Sequence, residues 1–290
     1  KNKGGVFLLP LIQLVWVNCH GFFILGPILT ALFIAAEGLK MRKKLPWEWA
    51  DCEPLDKKGY RNLIIIFLLS MLTCLINPNG IKGALYPLAI ISKAVIHPGA
   101  IHKHILELMP PWKLPYGQTL AYYMLIAVSS VTFLFNFRKI NLAYLLSWLA
   151  LLGISFNMNR NIIFFNCIAC VASVDNLSRI NYKQLFGKVL PDNFIFLLKY
   201  IALTLIIALS LIYCTKMLNN SYYIFDENRM KSSLLDTSYL YPNKAVDFIF
   251  KNKLPDNLFN IFNHGSYLIY RLYPTNHVFI DGRTELYNNE

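Results

Sequence analysis

Charge is scarce in this sequence. Only 15% of its 290 residues are charged and 56% are hydrophobic, with a mean hydropathy of +0.41. A soluble domain carries about 25% charged residues, so the shortfall reads as a chain whose solvent is largely lipid. Acidic residues are the rarer sign, 16 Asp and Glu against 28 Lys and Arg, for a net charge of +12. The cations are not interleaved with aromatics on one surface, which excludes a nucleic-acid partner. They fall between apolar runs, as cytoplasmic loops do. Cysteine is sparse and scattered: Cys167-x-x-Cys170 is the one close pair, and it lies in an apolar run with no nearby His. It reads as packing rather than as a metal or redox centre. Internal repeats and low-complexity linkers are lacking. So is an initiator Met: the chain opens on Lys1 and closes on Glu290 inside a polar motif. Both ends read as truncated, with further sequence expected beyond them.

What the sequence does have is a series of apolar runs, at residues 6–17, 22–36, 63–76, 120–135, 142–156, 162–174 and 194–214. A spanning helix needs roughly 20 apolar residues, fewer where its ends dip into a polar cavity. Residues 81–96 carry Pro87 and two lysines and read as an interfacial or re-entrant helix. Orientation follows from Lys and Arg in short loops. Lys40, Arg42, Lys43, Lys44, Lys57, Lys58 and Arg61 follow the second run, Arg138 and Lys139 the fourth, and Arg179, Lys183 and Lys188 the sixth. All three loops can be cytoplasmic at once. Residues 77–117, 157–161 and the tail after Cys214 then face outside. That tail alternates short elements: a helix over 242–251, a strand over 257–262, a helix over 265–272 capped by Asn263 or Ser266, and a strand over 277–280. This is an α/β pattern.

The unusual polar residues fall on one side of this topology. Asn18 and His20 join the first two runs, Asn77-Pro78-Asn79-Gly80 ends the third, Glu107 stands before Pro110-Pro111, and Arg160-Asn161 forms a turn. Asn263-His264-Gly265 and Asp281-Gly282-Arg283 end the two strands of the tail. Each cluster has two open readings. Asn77 to Gly80 is a strong turn signal, Asn18 and His20 can satisfy helix-end backbone groups, and Arg160 can snorkel to the interface. Functionally, Arg160 and His20 would hold an anionic phosphate while Glu107 orients a hydroxyl or acts as a base. Parallel strands would bring the two tail motifs to one sheet edge, where Gly265, opening a helix, would leave N–H groups for an anion. Of the remaining acids, Glu37 and Asp175 look peripheral. His20, His97, His102, His104, Glu107 and Asp281 lie outside, so a divalent cation is an open option.

In order, Trp16-x-Asn18-x-His20-Gly21, Asn77-Pro78-x-Gly80 with Tyr86-Pro87, Glu107-x-x-Pro110-Pro111, Arg160-Asn161, Phe259-Asn260-x-x-Asn263-x-Gly265-x-Tyr267-Leu268 and Val278-Phe279-Ile280-Asp281-Gly282-Arg283 form one series. It resembles an uncharacterised bacterial family of polytopic membrane proteins that is itself similar to the GT-C superfamily of glycosyltransferases. Cys19, Phe22, Asn79, His264 and Ser266 depart from the pattern. The resemblance implies sugar transfer from a polyprenyl-phosphate-linked donor to an extracytoplasmic glycan or protein acceptor. It also implies a catalytic carboxylate in an early outer loop, here expected upstream of Lys1.

The expected fold is mainly α: a transmembrane bundle over 1–215 in the bacterial inner membrane, followed by an incomplete extracytoplasmic α/β domain over 216–290. Glu107 is the catalytic candidate. Asn18, His20, Asn77, Arg160, Asn161, Asn263, Gly265, Asp281 and Arg283 are the substrate-binding candidates. The alternative is a non-catalytic scaffold or transporter in envelope polysaccharide assembly. A transporter would bury charges at mid-membrane, and the sequence places none there.

Overall fold

The structure is a computed structural model that describes residues 5–42, 44–91, 105–180, 191–219, 241–254 and 256–283. Among these the chain is mainly helical. It divides into two compact units, one up to Ile180 and one from Asn181.

The first unit holds α1 (Leu9–Cys19), α2 (Leu25–Arg42), α3 (Lys57–Thr73), α4 (Gly80–Ile91), α5 (Tyr116–Phe135), α6 (Leu142–Asn157) and α7 (Ile162–Arg179). Their starts follow local chemistry. Asp56 caps α3 by accepting from Gly59 N at 2.8 Å, and Asn141 caps α6 by accepting from Ala143 N at 3.1 Å, each supplying one of the acceptors that a helix N-terminus lacks. With their leading 3₁₀ turns, Gly21–Arg42 and Asn159–Arg179 are long and apolar enough to cross a membrane. Gly5–Cys19, Thr119–Phe135, Leu142–Asn157 and, in the second unit, Leu203–Leu218 are shorter apolar helices.

Tyr122, Phe133, Trp148 and Phe165 form the core between α5, α6 and α7, with Ala169 and Ala172 fully buried beside them. The small residues let the helices close up, and hydroxyls satisfy the polar atoms this traps. Tyr122 Oη and Ser155 Oγ lie 2.7 Å apart, and Trp148 Nε1 donates to Ser129 Oγ at 3.0 Å. Asn136 Nδ2 donates to Asn176 Oδ1 at 3.0 Å.

The unit has two dissimilar ends. One carries the basic loops. Trp49 Nε1 donates to Phe137 O at 2.7 Å, Lys139 pairs with Glu48 at 3.1 Å, and Arg179 pairs with Asp175 at 2.8 Å and Glu53 at 3.4 Å. Glu37 lies toward the basic end of α2. It is buried, pairs with Lys40 at 2.7 Å and accepts from Leu55 N, while Lys40 donates to Cys52 O at 2.8 Å. The pair therefore pins the 44–56 loop to α2. Cys167 and Cys170 differ from expectation: both are exposed rather than packed. The other end carries the polar clusters.

The second unit contains α8 (Asp192–Leu218), α9 (Asn243–Asn252), β1 (Asn257–Leu258), α10 (Phe262–Leu272) and β2 (His277–Val278). Phe196, Ile201, Leu205, Ile206, Leu209 and Ile212 of α8 are all exposed. Val246, Leu268 and Leu272 form a small core under α9 and α10. β1 and β2 are parallel, with Asn257 opposite His277 and Leu258 opposite Val278. Both strands are shorter than expected because the side chain of Asn260 takes over the ladder. Its Oδ1 accepts from Phe279 N at 2.9 Å and its Nδ2 donates to Ile280 O at 2.7 Å. Helix α10 begins at Phe262, three residues before the expected start, and its N-cap Ile261 offers no side chain; neither Asn263 nor Ser266 caps it.

Candidate functional site

At the polar end, three side chains bind α1 to its neighbours. Buried Gln13 donates to Phe23 O at 2.9 Å and to Cys74 Sγ at 3.2 Å, and packs against Gly26, where a Cβ would collide with its amide oxygen. Asn18 Nδ2 donates to Leu14 O at 2.9 Å and to Ile76 O at 3.0 Å. His20 Nδ1 accepts from Phe22 N at 3.1 Å and caps the 3₁₀ turn Gly21–Ile24. An acceptor Nδ1 leaves the proton of the neutral ring on Nε2. His20 also stacks on Phe22 with centroids 5.0 Å apart.

Asn77 is consumed by its turn. Its Nδ2 donates to Cys74 O and Gly80 O, both at 2.9 Å, and its Oδ1 accepts from Asn79 N. Gly80 sits at φ +54°, a left-handed conformation that glycine tolerates. This is the turn reading of the motif. The turn still has a second consequence, because it starts α4 beside His20. Between them lies an open cavity of about 510 Å³, lined by Asn18, His20, Asn77, Asn79, Lys82 and Tyr86 among others. Lys82 is the residue that sequence reasoning missed. It is one of the two lysines that the sequence shows within residues 81–96, and at the third position of α4 it brings a cation to the same cavity as His20.

The structure brings Glu107 and Arg160 together. Asn159 N donates to Met109 O at 2.8 Å and Arg160 N to Glu107 O at 3.0 Å, so two distant turns dock through their backbones. The guanidinium of Arg160 lies 5.1 Å from the centroid of Phe22, the ring on which His20 stacks. Glu107 is exposed, and its carboxylate has no hydrogen bond or ion pair among the described residues. Asn161 is buried, with Nδ2 donating to Ile154 O at 3.1 Å. The Oδ1 of Asn161 has no hydrogen bond among the described residues.

The tail motifs meet, but not as a phosphate cradle. Gly265 lies one turn inside α10 rather than opening it. A Cβ there would collide with Ile280 O and stand 2.6 Å from Asp281 Cα, so glycine is needed for helix and strand end to touch. Asp281 is 2% exposed, and its carboxylate accepts from Arg283 N, Nε and Nη2 at 2.8, 2.9 and 2.6 Å. Buried behind its own turn, it is a structural brace rather than a substrate ligand. Arg283 is held in that fork, and Asn263 is exposed on α10.

Among the described residues, no three His, Cys, Asp or Glu side chains could together hold a metal ion. His97, His102 and His104 lie outside the described residues. The chain matches no family model, no curated protein and no solved structure.

Proposed function

We propose that the chain is part of a polytopic membrane glycosyltransferase of the bacterial envelope, and that its polar end takes the phosphate of a polyprenyl-linked sugar. The observation that carries this reading is that Lys82 and His20 line one open cavity at one end of an apolar bundle. A lipid phosphate needs a cation and donors at the edge of a lipid-facing surface. The apolar side chains exposed along α8 and α3 are too numerous for water and suit acyl chains. Lys40, Arg42, Lys57, Lys58, Arg138, Lys139 and Arg179 gather at the opposite end, which by the positive-inside rule is cytoplasmic. The polar end is then extracytoplasmic, in keeping with the family resemblance. Glu107, exposed beside Arg160, is the carboxylate placed to orient or deprotonate an acceptor hydroxyl.

The test is binding of a polyprenyl phosphate and of the uncharged polyprenol to the full-length protein in lipid nanodiscs. The phosphate should bind at least tenfold more tightly, and Lys82→Ala should remove the difference. Equal binding of the two lipids, or no effect of Lys82→Ala, would contradict the reading.

A second reading is a non-catalytic scaffold of envelope polysaccharide assembly. It is favoured by the capping bonds that occupy Asn18, Asn77 and His20 Nδ1. A scaffold would show no phosphate preference in the same experiment.

A further inference from the structure

The second unit contains a groove that none of the above uses. About 730 Å³ of open space lies between the start of α9 and one face of α10, within the range of small-ligand sites, roughly 300–1,000 Å³. We propose that this groove binds neutral pyranose rings of an oligosaccharide, and that it is an acceptor site, a role that rests on the transferase reading above.

Three features point to sugar. The first is aromatic surface. Tyr241 and Tyr267 stack with centroids 4.4 Å apart, and Tyr270 is 82% exposed beside them. A pyranose presents a face of C–H groups that packs against the negative face of an aromatic ring. An exposed tyrosine with no ring partner among the described residues is such a platform. The second is free polar capacity. Asn263 and Ser266 line the groove, and neither side chain has a hydrogen bond among the described residues. Positions 263, 266 and 270 lie at i, i+3 and i+7 of α10, on one helix face. Amide and hydroxyl groups are thus set beside the ring platform, as alternating donors and acceptors on a sugar edge require.

The third feature is charge balance. Arg271 donates to Asp247 at 3.0 Å and to Tyr267 Oη at 2.7 Å, and Tyr267 Oη in turn donates to Asn243 Oδ1. The two charges in the lining cancel each other, so the groove favours a neutral ligand over a phosphate or a uronic acid.

The experiment uses the full-length protein in detergent on an array of neutral and acidic oligosaccharides, followed by titration of the best binder. A neutral glycan should bind. Tyr270→Ala should weaken it roughly five- to tenfold, and Tyr270→Phe should keep most of the affinity because the ring remains. Phe259→Ala, an equally exposed aromatic outside the groove, should leave it unchanged. Residue 270 is surface, so a thermal melt of each variant should match wild type. No binding to any glycan, binding to acidic glycans alone, or equal effects of Tyr270→Ala and Phe259→Ala would overturn the site. Polyprenyl-phosphate binding, measured on the same samples, separates the two ideas. Lipid phosphate bound without glycan sinks this site and leaves the transferase reading standing. Glycan bound without lipid phosphate does the reverse.

Discussion

Arg160 donates its backbone N–H to the carbonyl of Glu107 at 3.0 Å. Together with the bond from Asn159 N to Met109 O, it joins a turn between two apolar helices to a loop some fifty residues earlier in the chain. It leaves the Glu107 carboxylate exposed and the Arg160 guanidinium over Phe22. Because the contact is made by main chain, the side chain of Glu107 is free for chemistry.

Glu107→Ala should therefore retain wild-type stability within about 0.5 kcal/mol, as surface changes do, while the sugar transfer proposed above falls by at least a hundredfold. Arg160→Ala should reduce transfer as well, and also cost about 0.5–2 kcal/mol through the lost contact with Phe22. Transfer assays on folded variants check both. Wild-type rates in Glu107→Ala would remove it from the mechanism.

Gly265→Ala should destabilise the second unit by about 1–3 kcal/mol, because the added methyl enters the space of Ile280 and Asp281. Hydrogen exchange of residues 257–283 would report it as faster exchange, with α5 to α7 unchanged.

Glu37 and Lys40 form a buried pair, with side chains 7% and 2% exposed. Lys40→Met alone should cost about 3–5 kcal/mol because it strands a buried carboxylate. A double change, Glu37→Gln with Lys40→Met, should recover part of that loss. Thermal melts of wild type and the two variants give the answer.

Much of this was legible in the sequence, and the reasons differ by element. Apolar runs marked every long helix because length and composition alone define them. That His20, Asn77, Glu107 and Arg160 fall outside the α-helices followed from the gaps between those runs. The sequence left the pairing of β1 and β2 open, and the structure makes it parallel. What remained hidden depended on contacts across the chain. Lys82 is one lysine among 28 Lys and Arg until the Asn77 turn aims α4 at His20. Asn260 falls in the expected strand, and nothing in the sequence says that its side-chain amide, rather than its backbone, carries the ladder onward. The fork that Arg283 closes on Asp281 is hidden too, because a polar residue in a motif carries no sign of whether it will be buried.

Cys52 offers a pH test of the loop held by Lys40. The thiol is buried, and that burial pushes its pKa above the ordinary value, against the smaller opposing effects of Arg179 and Lys40. The reactive species is the thiolate, so at pH 7.5 Cys52 should react with iodoacetamide more slowly than exposed Cys19. Its rate should keep rising at higher pH than that of an ordinary thiol. Mass spectrometry of timed labelling at several pH values checks this. Equal rates would mean that the 44–56 loop opens freely.

The most direct test of the account is the sidedness of the bundle's two ends. In a cysteine-free background, Asn79→Cys at the polar end and Glu48→Cys at the basic end would be treated with a membrane-impermeant maleimide in intact bacterial cells whose outer membrane admits it. Position 79 should label at once, and position 48 only after the inner membrane is permeabilised. Labelling of both positions in intact cells, or the opposite order, would contradict a membrane-spanning bundle with its polar cavity outside.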